Sequence, residues 1–208
     1  MLLCVVSLCT FIKISEDVIT EDYITELDIL INQNIITISS PIFDIIMIFI
    51  TNIISPFYLL LLSVTLGIVL LYKKKWFYLI ISIISLGGGA IFYYLVKIVI
   101  QRQRPDNSLI EVSGFSFPSG HAALAAVFFC LILYIFKDDI KNILFRDLFI
   151  FSNIIFFCLI GFSRIYLRVH WLSDVIAGFA LGIFWLTLLI LIFQLLKHYR
   201  IFVRLRDV

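Results

Sequence analysis

Polar residues in this chain come in short clusters. Between them run apolar stretches too long and too uniform for strand alternation or for the one-sided stripe of a soluble helix. The runs are Phe57 to Tyr72, Trp76 to Val96, Pro118 to Phe136, Leu148 to Phe162 and Trp171 to Leu196, and several approach or exceed the roughly 20 residues that cross a bilayer core. Pro56 opens the first of these and Lys73, Lys74 and Lys75 stop it; Gly87, Gly88 and Gly89 in the second predict close approach of a neighbouring helix. Met1 to Ile12 is apolar too, but as a helix it spans only about 18 Å against a core of about 30 Å. It lacks the basic start and cleavage site of a signal peptide, and predicts a stub of a first transmembrane helix or an interfacial segment. Six acids from Glu16 to Asp28 predict a surface helix, and Ile35 to Ser55, around Pro41 and Asp44, a kinked or interfacial lead-in to the next span. The expected fold is all-α: one polytopic membrane bundle over residues 1–208, with about six transmembrane helices, the first one short.

Composition strengthens the membrane reading. Only 14% of residues are charged and 62% are hydrophobic, whereas soluble domains carry about 25% charge. Cys4, Cys9, Cys130 and Cys158 sit in apolar runs without CxxC spacing and read as small packed hydrophobes. The net charge of +2 says little; its distribution says more. With loops assigned alternately, Lys73 to Lys75, Lys137, Lys141, Arg146, Lys197, Arg200, Arg204 and Arg206 share one side, ten of the sixteen basic residues. The positive-inside rule makes that side cytoplasmic. Lys13, Lys97, Arg102, Arg104, Arg164 and Arg168 fall outside with ten of the fourteen acids. The 97–117 loop and the 161–174 turn therefore face outward together.

Three segments on that outer side carry candidate chemistry. Lys97 and Arg104 are seven apart and share a face if the helix continues; cations near a bilayer usually mark a partner or a pathway. Pro118-Ser119-Gly120-His121 opens an apolar run as a helix start, whose free amides and dipole attract anions. Gly120 allows close approach to the backbone. Ser163-Arg164 precedes His170 and Asp174, whose i, i+4 spacing puts them on one helical face. An Asp there can hold one imidazole nitrogen and leave the other lone pair free. Taken singly, each has an ordinary explanation as a snorkelling pair, a capped helix or a satisfied polar contact. Converged, they form a pocket of three cations, a hydroxyl and helix-end amides with two histidines, suited to a tetrahedral dianion. Arg102 and Arg168 read as headgroup or surface contacts, and His198 as a solvated residue of the tail.

Lys97-x6-Arg104-Pro105, Pro118-Ser119-Gly120-His121 and Ser163-Arg164-x5-His170-x3-Asp174 resemble the three signature motifs of the type-2 phosphatidic acid phosphatase family. Those membrane lipid phosphatases share their active site with vanadium haloperoxidases and bacterial acid phosphatases. The resemblance implies that His170 attacks phosphorus to form a phosphohistidine, with Asp174 orienting it and His121 acting as acid and then base. It also implies that Lys97, Arg104, Ser119, Gly120 and Arg164 hold the phosphate oxygens, with no metal and no other cofactor. The expected partners are the bilayer and a lipid phosphate such as undecaprenyl diphosphate, phosphatidylglycerol phosphate or phosphatidic acid, not nucleic acid. The expected location is the plasma membrane, with an extracytoplasmic site and a cytoplasmic C-terminus. A lipid phosphotransferase using the same phosphohistidine, and a non-catalytic anion-binding or transport protein, are the competing readings.

Overall fold

The computed structural model describes residues 1–53 and 55–198, with Pro56 and the last two residues as backbone only. The side chains of Lys197 and His198 and the basic residues Arg200, Arg204 and Arg206 lie outside the described part. Eight α-helices follow in order: α1 (Leu2–Ile19), α2 (Tyr23–Thr37), α3 (Pro41–Asn52), α4 (Pro56–Tyr72), α5 (Trp76–Ile100), α6 (Gly120–Phe136), α7 (Ile143–Tyr166) and α8 (Leu172–His198). Among the described residues, α5, α6 extended through Asp139, α7 and α8 are long and apolar enough to cross a membrane, and α3 with α4 forms a bent fifth candidate. Large exposed apolar side chains such as Phe49, Leu60, Ile68, Ile83, Ile91 and Phe151 are what a lipid-facing surface requires.

The elements differ from the pattern-based expectation at their ends. Helix α1 runs through Lys13, Glu16 and Asp17 to Ile19, well beyond the apolar stub. Lys13 is bonded to Asp17 one turn on. The acids from Glu16 to Asp28 do not form one surface helix: Asp22 caps α2, Glu21 takes a left-handed turn conformation at φ 55, and Asp28 is 2% exposed. Helix α7 begins at Ile143, capped by Asn142, rather than at Leu148.

The tightest packing is between α6 and α8, and small residues cause it. A Cβ on Gly178 would lie 2.6 Å from the Ser119 carbonyl oxygen and 3.0 Å from the Ala122 Cβ, and one on Gly182 would strike the Ala123 carbonyl. Bilayer helices gain by such close backbone approach. Gly88 and Gly89 serve differently: they seat the Trp185 indole of α8, whose Nε1 donates to the Ser85 carbonyl at 3.0 Å. Gly182→Ala should therefore force α6 from α8 and lower stability by about 1–3 kcal/mol. The measurement is thermal unfolding in detergent; Gly87→Ala, where a Cβ would meet nothing within 4 Å, is the control.

Candidate active site

The site forms where the C-terminal end of α5, the N-terminal end of α6, the C-terminal end of α7 and the start of α8 meet. Helix α5 stops at Gln101, which adopts a left-handed conformation (φ 53), so Lys97 and Arg104 do not share a continuous helical face. The two cations converge by another route. Lys97 Nζ donates to the Phe115 carbonyl at 2.8 Å, and Arg104 Nε to the Gly114 carbonyl at 2.8 Å. They gather the 101–119 loop, which Ser116 closes from the inside by donating its N–H to the Arg102 carbonyl at 2.8 Å and its Oγ–H to the Gln103 carbonyl at 2.9 Å.

A cis Phe117–Pro118 peptide precedes α6. Ser119 is the N-cap: its Oγ accepts from the Ala122 N–H, and its own N–H donates to the Asp174 carbonyl at 2.9 Å. Gly120 follows as the first helical residue. Its missing side chain makes room for the Tyr93 ring, since a Cβ would lie 2.7 Å from that ring. His121 lies within electrostatic reach of Arg164, His170, Lys97 and Arg104. Arg164, 3% exposed, donates from Nη1 to Thr51 Oγ1 at 2.8 Å, and its Nε is buried without a hydrogen-bond partner. A buried guanidinium with a spare donor is a ready anion ligand.

His170 is not on a helix. After α7, the chain turns through Arg168 (φ 56), the Val169 and His170 N–H groups both donate to the Arg164 carbonyl, and α8 begins at Leu172. The i, i+4 contact to Asp174 survives because Asp174 stands in the first turn of α8. Its Oδ2 faces His170 Nδ1 at 3.4 Å, a long separation for a hydrogen bond, and accepts from the Trp171 N–H at 3.0 Å. Arg104 Nη1 lies 3.3 Å from His170 Nε2 and donates to the Val169 carbonyl at 2.6 Å. A guanidinium only donates, so Nε2 must be the acceptor and the neutral ring carries its proton on Nδ1, toward Asp174. Burial, followed by the charges of Arg164, Arg104 and Lys97, pushes the His170 pKa well below the ordinary imidazole range. Burial also lowers that of Arg104.

The structure thus brings Lys97, Arg104, Ser119, Gly120, His121, Arg164, His170 and Asp174 to one end of the bundle. It corrects the reading of Arg102 as a headgroup contact. Arg102 Nη1 donates to Asp174 Oδ1 at 2.7 Å and to Ser173 Oγ at 2.6 Å, and Nη2 to Asp28 Oδ2 at 2.8 Å. Arg168 is 9% exposed rather than a free surface group. Asp28 and Arg102 escaped the sequence reading, although a signal existed for the first: Asp28, Asn32 and Ile35, the buried residues of α2, follow the i, i+4, i+7 spacing of an inward stripe. Among the described residues, no group of three or more His, Cys, Asp or Glu is placed to hold a metal ion.

Comparison with known proteins identifies the family. A family model of the PAP2 superfamily matches residues 75–197. Phosphatidylglycerophosphatase B of Bacillus subtilis is 31% identical over 184 residues, covering 86% of this chain and 89% of the relative. The crystal structure of the transmembrane PAP2-type phosphatidylglycerolphosphate phosphatase from Bacillus subtilis superposes with a TM-score of 0.83 at 28% identity, over 93% of this chain and 97% of that one. Aquifex aeolicus LpxE shares the fold, with a TM-score of 0.63 at 22% identity over 80% of this chain and 93% of that one. The chain belongs to the PAP2 superfamily and is a multi-pass membrane phosphatase.

Proposed function

We propose that the protein removes the terminal phosphate of phosphatidylglycerol phosphate through a phosphohistidine on His170, without a metal. The observation that carries the mechanism is the His170 ring itself: Nδ1 faces Asp174 Oδ2 while Nε2 faces Arg104. The Nε2 lone pair attacks phosphorus as the bond to the lipid oxygen breaks. That oxygen takes the bond's electron pair and a proton from His121. Water then attacks phosphorus and gives a proton to His121, the P–N bond breaks with its pair returning to Nε2, and inorganic phosphate leaves. Lys97, Arg104, Arg164, the Ser119 hydroxyl and the α6 amides at Gly120 balance the charge on the equatorial oxygens. Before substrate binds, loop carbonyls engage Lys97 and Arg104, which holds these cations in place.

The named substrate rests on the relatives. The asymmetry of basic residues supports an extracytoplasmic site in the plasma membrane and a cytoplasmic C-terminus. That sidedness favours a second reading, undecaprenyl diphosphate as substrate. A phosphate-release panel with purified protein tests both. Phosphatidylglycerol phosphate should be cleaved fastest, in EDTA as well as in Mg²⁺. Faster release from undecaprenyl diphosphate would establish the second reading, and release that stops in EDTA would remove the metal-free mechanism. Transfer of phosphate to an added alcohol in preference to water would make the protein a phosphotransferase.

The pH dependence follows from His170. Its neutral form reacts, and its folded pKa lies well below the ordinary value. Turnover should therefore persist as pH falls through about 6.5, with the limb due to His170 at more acidic pH. Below about pH 6.5 the unfolded chain takes up a proton that the folded site refuses, so the stability contribution present above that pH declines with acid. A pH–kcat profile flat from pH 4 to 9 would contradict the paired roles.

A further inference from the structure

The mechanism leaves unused the buried Asp28 and the partly buried Arg102, and they meet at the back of the residue that orients the nucleophile. Asp174 is fully buried and needs compensation for its charge. Arg102 supplies it on one oxygen only, Oδ1 at 2.7 Å. The other oxygen, Oδ2, is left for the Trp171 N–H and His170 Nδ1. Arg102 is itself aimed from behind: Asp28 Oδ2 accepts from Nη2 at 2.8 Å, and the Trp171 ring lies 5.5 Å from the guanidinium carbon. Asp28 also binds the start of α8 directly, Oδ1 accepting from the Ser173 N–H at 2.9 Å and Oδ2 from the Ser173 hydroxyl. The hydrogen bonds close a ring through Asp28, Arg102 and Ser173, with Asp174 held by Arg102, and Asp28 enters it from α2, outside residues 75–197 that carry the family match.

We propose that Asp28 and Arg102 are positioning residues for His170: Asp28 aims Arg102, Arg102 holds one oxygen of Asp174, and the other oxygen is thereby presented to the imidazole. The proposal rests on the reading of His170 as the nucleophile. Outer partners of this kind matter because a reacting group must be held to a fraction of an ångström. Helix α2 is then part of the catalytic apparatus, although no residue of it need touch the phosphate. A docking role alone predicts something else, namely less folded protein with an unchanged rate per folded molecule.

The test measures kcat and KM for phosphatidylglycerol phosphate in detergent micelles, inhibition by orthovanadate and the unfolding midpoint, for Asp28→Asn, Arg102→Gln, their combination and Arg102→Lys. Asp28→Asn and Arg102→Gln should each lower kcat about 10–100-fold, the usual cost of losing a partner one shell out from the chemistry, with KM and orthovanadate inhibition little changed. The combined variant should be no slower than the slower single, because both act through one oxygen. Arg102→Lys keeps the charge but cannot fork between two carboxylates; it should fold like the parent and still lose kcat. That makes it the deciding variant if the neutral ones fail to fold. Wild-type kcat in folded Arg102→Lys, or losses that multiply in the combined variant, would overturn the proposal. His170→Ala run alongside separates the two levels: if it turns over at the parent rate, the nucleophile assignment falls; if it is inactive while the Arg102 and Asp28 variants are fast, only the positioning role falls.

Discussion

Replacing His170 with alanine should abolish turnover, by about 10⁴-fold or more, in a protein that still folds and inserts. The imidazole is 2% exposed and is held at each nitrogen, by Asp174 at 3.4 Å and Arg104 at 3.3 Å. Its neighbours have other tasks: Arg104, Lys97 and Arg164 are cations, Asp174 lies behind the ring, and the proposed mechanism uses His121 for proton transfer. Removing the ring also leaves Arg104 Nη1 its bond to the Val169 carbonyl at 2.6 Å, so no cation is stranded and folding should be little affected. The measurement is phosphate release per mole of monodisperse protein. Activity within tenfold of the parent would remove His170 from the mechanism.

The second large effect belongs to Asp174. Arg102 Nη1 on Oδ1, and the Trp171 N–H and His170 Nδ1–H on Oδ2, are all donors to its carboxylate. Asp174→Asn keeps the volume but must turn an NH₂ toward one of these donors. If it faces His170, the ring loses the acceptor that fixes its tautomer, and kcat should fall about 10³–10⁴-fold, as in other sites that lose an orienting carboxylate. If it faces Arg102, a partly buried guanidinium loses one of two counter-charges. Because Asp28 remains, the stability cost should stay at about 3 kcal/mol or below, the lower end for breaking a buried pair. The kcat loss and the unfolding midpoint, measured on one preparation, check both statements.

What could be read from the sequence was the chemistry at short range and the placing of two charged loops together. Ser119 as a cap, the contact of His170 with Asp174, and the meeting of the 97–117 loop with the 161–174 turn through Arg104 and Val169 all follow from spacing, helix-end rules and charge counting. The family motifs added the roles. What spacing could not give was where helices stop. Lys97 and Arg104 are two turns apart on paper, but α5 ends between them and the loop folds back through Gly114 and Ser116. The same blindness hid Asp28. An acid among acids reads as surface, and only the fold shows that α2 lays it against Ser173, 145 residues later in the chain. Arg102 was obscured because a cation next to motif cations has no signature of its own until its carboxylate partners are located.

The central claim is that His170 forms a covalent bond to phosphorus in the cup closed by these three segments. Rapid acid-free quenching of the protein with phosphatidylglycerol phosphate carrying a labelled terminal phosphate, followed by peptide mapping, tests it directly. The account predicts one label, stable in base and lost in acid, on the peptide containing His170 and missing in His170→Ala. Label on His121 or on any other residue, or rapid turnover with no labelled protein formed under single-turnover conditions, would contradict it.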